Sequence, residues 1–188
     1  MIDHSLSVIN SPDKDGETPA YKAAALNSVT SLDMLVRHGA NVTLANHSGL
    51  RPVHIAAALG YTEVLKYLLT AKNVGHGPLE LVSLVDNNEE TALFHAVRGG
   101  YEDAVELLVQ KGASVSHQSA DLSTPLHLAC SAGLKKIVRV LVEKAMPQDL
   151  AKTLIMVDDQ GMTPLHRSVP VISDSYSLDT DLCAVLTG

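Results

Sequence analysis

The sequence predicts an all-α solenoid of about five helix-turn-helix units, and three observations carry that prediction. A short phrase recurs along the chain: Thr18-Pro19-Ala20-Tyr21, Arg51-Pro52-Val53-His54, Thr91-Ala92-Leu93-Phe94, Thr124-Pro125-Leu126-His127 and Thr163-Pro164-Leu165-His166. Its first residues stand 33, 40, 33 and 39 positions apart. A recurrence near 33 marks a stacked array in which each unit buries its apolar face only against its neighbours. Landmarks follow the phrase in one register: Gly60, Gly100 and Gly133, then Leu68-Leu69, Leu107-Leu108 and Leu141-Val142, then Gly39-Ala40 and Gly112-Ala113. The composition agrees, because 46% hydrophobic residues with only 3% aromatic ones suit helices packed closely through Ala, Leu and Val.

Each element of a unit has a local cause. Thr before Pro opens the first helix, where Pro is tolerated because first-turn amides have no intrahelical partner. Leu126, Ala129 and Cys130 form an apolar stripe at helical spacing, and Gly133 ends it. A second helix is expected from about residue 134 to 144, with Ile137, Val138, Leu141 and Val142 on its buried side. Ala104, Val105, Leu107 and Leu108 repeat that logic in the third unit. Gly112 supplies the left-handed terminus that other residues adopt only at a cost. The polar stretches between units, such as 116–123, read as exposed loops.

Two spacings exceed 33 by 7 and 6 residues, which places insertions at 70–85 and 145–157. Pro147 followed by Asp149 predicts a short helix in the second. In the first, Gly75-His76-Gly77-Pro78 is a flexible entry to a Leu-Val run that suits helix or strand. Both insertions are expected to project from one side of the stack. The fifth unit carries about four added residues within 169–177, where Pro170 is expected to end its first helix early. Both ends read as cut from something longer. Ile9 precedes Thr18 by nine residues, as Val42 precedes Arg51 and Val115 precedes Thr124, and Gly188 holds the place of Gly39 and Gly112.

The phrase is similar to the TPLH motif of the ankyrin repeat family with substitutions, and the chain resembles that family over about residues 9 to 188. The expected organisation is 1–12 as the tail of a preceding repeat or an N-terminal strand, then repeats at 13–45, 46–85, 86–118, 119–157 and 158–188. The second and fourth carry the insertions, and the fifth is atypical and truncated. The resemblance implies hairpin fingers roughly perpendicular to the helices. It also gives the phrase histidines His54, His127 and His166 a structural role in linking loops. Finally, it implies a non-catalytic scaffold or adaptor that binds another protein across its concave helices and fingertips. Carried over by position, the inner helices would offer Lys22, Leu26, Ile55, Leu59, His95, Arg98, Leu128, Ser131 and Arg167. The fingers would add Asn46, His47, Asn87, Asn88, Glu89, His117, Gln118, Asp158 and Asp159. A second resemblance is to the long arrays with irregular insertions in ankyrin-type transient receptor potential cation channels, whose company suits the stretch from Asp158 to His166. It implies a cytosolic array within a larger membrane protein, with a structural or coupling role.

Other classes are disfavoured on chemistry. No catalytic, cofactor-binding or metal-ligating residues are expected, and the chain is not expected to be an enzyme. Nine histidines invite a metal reading, but those of the phrase fall one per unit and would not converge on one ion. His95 stands one place later and is either a solvated side chain or part of the inner face. Asp13-Lys14-Asp15-Gly16-Glu17-Thr18 fails as a calcium loop, because Gly comes fourth and Ala24 holds the twelfth place. Phosphate-loop, zinc-protease and nucleophile-elbow motifs are missing from the sequence.

The formal charge is −7, with Asp13, Asp15, Asp86, Glu89, Glu90, Asp121, Asp158 and Asp159 in or beside the fingers. Such loops are either simply solvated or steer a basic partner segment toward the inner groove. No basic stripe exists to neutralise phosphates, so nucleic acid is not expected as a partner. The most apolar run, residues 53–71, is interrupted by His54, Glu63 and Lys66, so direct membrane insertion of this chain is not expected. Residues 1–12 lack a secretory signal's basic start and apolar core. Cys130 aligns with Ala24, Ala57 and Val97 as a small core residue, and Cys183 has no evident partner in sequence. A reducing, cytoplasmic location is the expectation.

Overall fold

First helices begin at the second residue of the recurring phrase, which is Pro in four of the five. In the computed structural model, which describes residues 8–70 and 75–168, these are α1 (Pro19–Ala25), α3 (Pro52–Ala58), α6 (Ala92–Gly99), α8 (Pro125–Ser131) and α11 (Pro164–Arg167). Second helices are α2 (Val29–Arg37), α4 (Thr62–Thr70), α7 (Glu102–Gln110) and α9 (Lys135–Lys144), and the insertions form α5 (Pro78–Ser83) and α10 (Pro147–Ile155). Thr124 caps α8 reciprocally: its hydroxyl accepts from the His127 amide at 3.4 Å, and its own amide donates to His127 Nδ1 at 3.1 Å. Thr163 and His166 repeat the arrangement on α11.

The helices form two layers. α1, α3, α6, α8 and α11 stack in order, α2, α4, α7 and α9 stack behind them, and each unit's pair packs together. The contact surface of the first layer is built from Ala20, Ala24, Ala56, Ala57, Ala96 and Ala129, all buried, whose small side chains let helices approach closely. The second layer contributes larger groups such as Leu32, Leu65, Leu68, Leu108 and Leu141, in one continuous core with Cys130. This is the all-α repeat solenoid that the spacing predicts. Among the described residues no helix is long and apolar enough to cross a membrane.

Both insertions are helical, and they meet the same place. α5 buries Leu81 and Val82 in the core between α4 and α6, so the first insertion is part of the packing. Its Leu79 lies over Gly112, where an added Cβ would stand 2.4 Å from the Leu79 Cδ2 atom. Asp149 of α10 accepts from the Ser116 hydroxyl at 3.0 Å. The two insertions thus both contact residues 112–116, the turn that leaves α7. Gly112 itself has φ +92, which favours glycine irrespective of space.

The fingers are five-residue turns at 13–17, 46–50, 86–90, 119–123 and 158–162. In each, the first residue's amide donates to the fifth residue's carbonyl at 2.9–3.0 Å. The fourth residue has positive φ, and Gly16, Gly49 and Gly161 supply it without strain, whereas Glu89 and Leu122 adopt φ 58 and 61. One backbone hydrogen bond links each finger to the next: His47 to Asp15, Asn87 to Ser48, Ala120 to Asn88, and Asp159 to Asp121. The only β-pairing among the described residues is an isolated bridge between Val85 and Thr91. The addition expected at 169–177 with Pro170, Cys183, and residues 1–7 lie outside the described residues.

Candidate partner-binding face

Asp13, Asn46, Asp86 and Asp158 open their fingers with a side chain that closes the turn. In each, Oδ1 accepts the amides of the third and fifth finger residues, at 2.8–3.0 Å. The second carboxylate oxygen is then left to meet the helix residue nine positions on. Asp86 Oδ2 pairs with His95 Nε2 at 2.9 Å, Asp158 Oδ2 with Arg167 Nε at 2.6 Å, and Asp13 Oδ2 with Lys22 Nζ at 3.0 Å. Lys22 also contacts Glu17, and Arg98 clasps both oxygens of Glu90, NH1 at 2.6 Å. Carboxylates therefore tie these fingers to their helices, two in the first and third repeats and one in the fifth. In the second repeat Arg51 replaces the phrase Thr and binds the carbonyls of Thr43, Gly49 and Val85.

The electrostatics follow from these contacts. Burial by itself would raise the Asp86 carboxyl, but the Glu90 and Asn88 amides and the His95 ring outweigh it and hold it below the ordinary range. Asp158 behaves alike through the Met162 amide and Arg167. Lys22 is held above its usual value by Glu17 and Asp13, and Arg98 by Glu90. Lys22, His95, Arg98 and Arg167, carried over by position as partner contacts, are thus each engaged by the chain's own carboxylates. Asp158, 2% exposed, has both oxygens committed inside its repeat.

Two of the phrase histidines bridge repeats, while His166 is exposed and pairs with Thr163 of its own cap. His54 Nε2 donates to the Leu84 carbonyl and His127 Nε2 to that of Met162, both at 3.0 Å, in each case at the entry or end of the next finger. Burial, then the neighbouring His95 ring, lowers His54 to about 4. Tyr21 and Phe94 fill the same place by packing, and Thr91 Oγ1, whose counterpart in α8 meets a His ring, is buried without a hydrogen-bond partner beside Phe94. Asp86, Glu90 and His95 bring potential ligand atoms within 4.8 Å of one another. Arg98 holds both Glu90 oxygens, so a divalent ion would have to displace a guanidinium; the group is an ion-pair network.

Of the remaining expected contacts, Leu26, Leu59, Arg98 and Ser131 are exposed on first helices or their ends, and Ile55, His95, Leu128 and Arg167 are half-buried there. Arg98, Leu128, Ser131 and Arg167 come together around one cleft of about 200 Å³, with Glu90 and Asp121 in its walls. On the fingers, His47, Asn87, Asn88, Glu89 and Asp159 are exposed. Asn46 closes its turn, and Asn87 Nδ2 donates to the His47 carbonyl at 2.9 Å. His117 Nε2 donates to the Glu89 carbonyl at 2.8 Å, and Gln118 to that of Leu122 at 2.7 Å. Glu90 and Asp121 were absent from the positional set. The signal that finds the carboxylate pairing is the nine-residue interval shared by Asp13 and Lys22, Asp86 and His95, and Asp158 and Arg167.

Two layers of stacked helix pairs with edge-linked fingers define a helical repeat solenoid. The chain belongs to the ankyrin-repeat family: that family's model matches it in three copies, at residues 1–78, 44–119 and 115–171. It is 36% identical over 121 residues to the transient receptor potential cation channel subfamily A member 1 of Drosophila melanogaster, covering 64% of this chain and 10% of the channel. To the human channel of the same name it is 28% identical over 89% of this chain, and it spans 15% of that protein. A probable 26S proteasome regulatory subunit, p28 of Saccharomyces cerevisiae, is 29% identical over 87% of this chain and 68% of the subunit.

Proposed function

We propose that this array is a non-catalytic cytoplasmic scaffold or adaptor that receives a basic segment of another protein across its fingertips and inner helices. The observation that supports this reading most directly is the division of its carboxylates. Asp13, Asp86, Glu90 and Asp158 are paired internally, whereas Asp15, Glu89, Asp121 and Asp159 are exposed along the fingers and make no ion pair with any described residue. An acidic rim above partly apolar inner helices steers cations and offers apolar area once they arrive. Finger-to-helix ties hold these groups in place before binding, which reduces the ordering cost of association.

A photoactivatable cross-linker attached at Leu59→Cys or Ser131→Cys, compared with Lys66→Cys on the opposite layer, tests the reading. Partners should be captured from the two inner positions, and less so at high salt. Equal capture from Lys66→Cys, or none from the inner positions, would defeat it. The likeness to two channels favours a second reading, an array working inside a longer membrane protein. An antibody against this array would then detect a native product far larger than 20.0 kDa in the membrane fraction.

A further inference from the structure

We propose that the cleft formed by repeats three to five is a receptor for one Lys or Arg side chain of the partner, with Asp121 as its acceptor and Leu128 as the floor for its aliphatic stem. The inference rests on the inner-face reading above and names the chemistry of one place on it.

The fourth repeat breaks the pattern of its neighbours. Where Asp86 and Asp158 open their fingers, Ser119 stands, and the helix position nine residues on is Leu128 in place of His95 and Arg167. The carboxylate has moved to the third finger position, Asp121. Its oxygens accept from the Ser119 hydroxyl at 2.6 Å, the Ser123 amide at 3.1 Å and the Ser123 hydroxyl at 3.2 Å, all neutral donors. No described cation lies within ion-pair distance of it. The Ser119 hydroxyl, foremost, holds its carboxyl below the ordinary range, so the group is charged at neutral pH.

The charges around the cleft are unbalanced in the same sense. Arg98 and Arg167 flank it, but Glu90 engages the first and Asp158 the second. His127 is buried and its pKa is lowered by that burial, so it adds no positive charge at neutral pH. Two guanidinium groups thus face three carboxylates, and Asp121, within the field of Arg98, is the one that holds no ion pair with a described residue. An anionic partner group would have to compete with Glu90 and Asp158 for guanidinium edges already engaged. A cation meets an open carboxylate beside the half-buried Leu128, on which a long stem lies while its head stays polar. Leu122, next to Asp121 in the same finger, is 47% exposed and adds apolar surface there.

The test uses the whole chain and three blocked pentapeptides, Gly-Leu-X-Leu-Gly, with X as arginine, citrulline or glutamate. Binding is followed by NMR at backbone amides, Asp side-chain carboxyl carbons and Leu methyls. The arginine peptide should shift Asp121 and Leu128 saturably, and citrulline, which keeps the shape without the charge, should bind at least fivefold more weakly. Asp121→Asn retains an oxygen for the turn and should cost the same factor, whereas Asp103→Asn, exposed on α7 of the second layer, should change affinity less than twofold. Unchanged free-protein spectra establish that each variant is folded. Equal binding by citrulline or glutamate, equal loss in both Asn variants, or no shift at Asp121 overturns the proposal. Shifts confined to Ile55 and Leu59 would overturn it while leaving the inner-face reading intact, and the cross-linking experiment decides that reading independently.

Discussion

Acid should destabilise this protein in two stages, and His54 sets the first. Its ring is fully buried, with Nδ1 accepting from the Arg51 amide at 3.2 Å and Nε2 donating to the Leu84 carbonyl at 3.0 Å. That pattern requires the neutral ring. Burial, with the His95 ring 5.6 Å away, lowers its pKa from 6.5 to about 4. The unfolded chain takes up this proton near pH 6.5 and the folded chain only near pH 4, so the unfolded state binds more protons in between. Stability is therefore complete above pH 6.5 and falls with pH through the window, by about 1.4 kcal/mol per pH unit and about 3 kcal/mol in all. Asp86 and Asp158, whose carboxyls are depressed, add stability that is lost only below their unfolded value of 3.8. Urea unfolding midpoints between pH 4.5 and 7.5 measure the first stage. His54→Gln keeps a donor for Leu84 without titrating, and should flatten the slope by the His54 share; a smaller slope remains from His127, also lowered by burial. A variant slope equal to that of the natural chain, or a flat profile for the natural chain between pH 6.5 and 4.5, would refute the reasoning.

Three further perturbations separate causes that the fold combines. Thr91→Val removes a buried hydroxyl without a partner and should raise stability by about 1 kcal/mol in urea melts, whereas Thr124→Val, which breaks a satisfied cap, should lower it by a similar amount. Gly112→Ala should cost about 1 kcal/mol, and adding Leu79→Ala should not restore it, because the cost comes from φ +92 and the Leu79 methyl can move aside. Leu122→Gly places at φ 61 the residue that three other fingers use, and should raise the thermal midpoint, with about 1 kcal/mol gained. An unchanged or lower midpoint would show that Leu122 is not strained there.

The sequence by itself determined the architecture. The spacing of the Thr-Pro phrase, the glycines behind it and the Ala-rich first helices specify a stack of helix pairs, because periodicity and capping act within a few residues. Pro147 and Asp149 announced α10 for the same local reason, while the run after Pro78 suited either structure until Leu81 and Val82 found a core between α4 and α6. Residues at equal offsets from the phrase were also legible as equivalent positions on the first-layer helices. Only the tertiary structure decided which of their charges are available. Lys22, His95, Arg98 and Arg167 looked free in the sequence, yet each turns toward a carboxylate of its own finger, and Asp121 alone among the cleft carboxylates is left without a cation among the described residues. It also brought the two insertions, about 70 residues apart in sequence, to the turn at 112–116. Charge pairing and convergence of distant segments depend on distances set by packing between repeats, and a pattern within one repeat does not encode them.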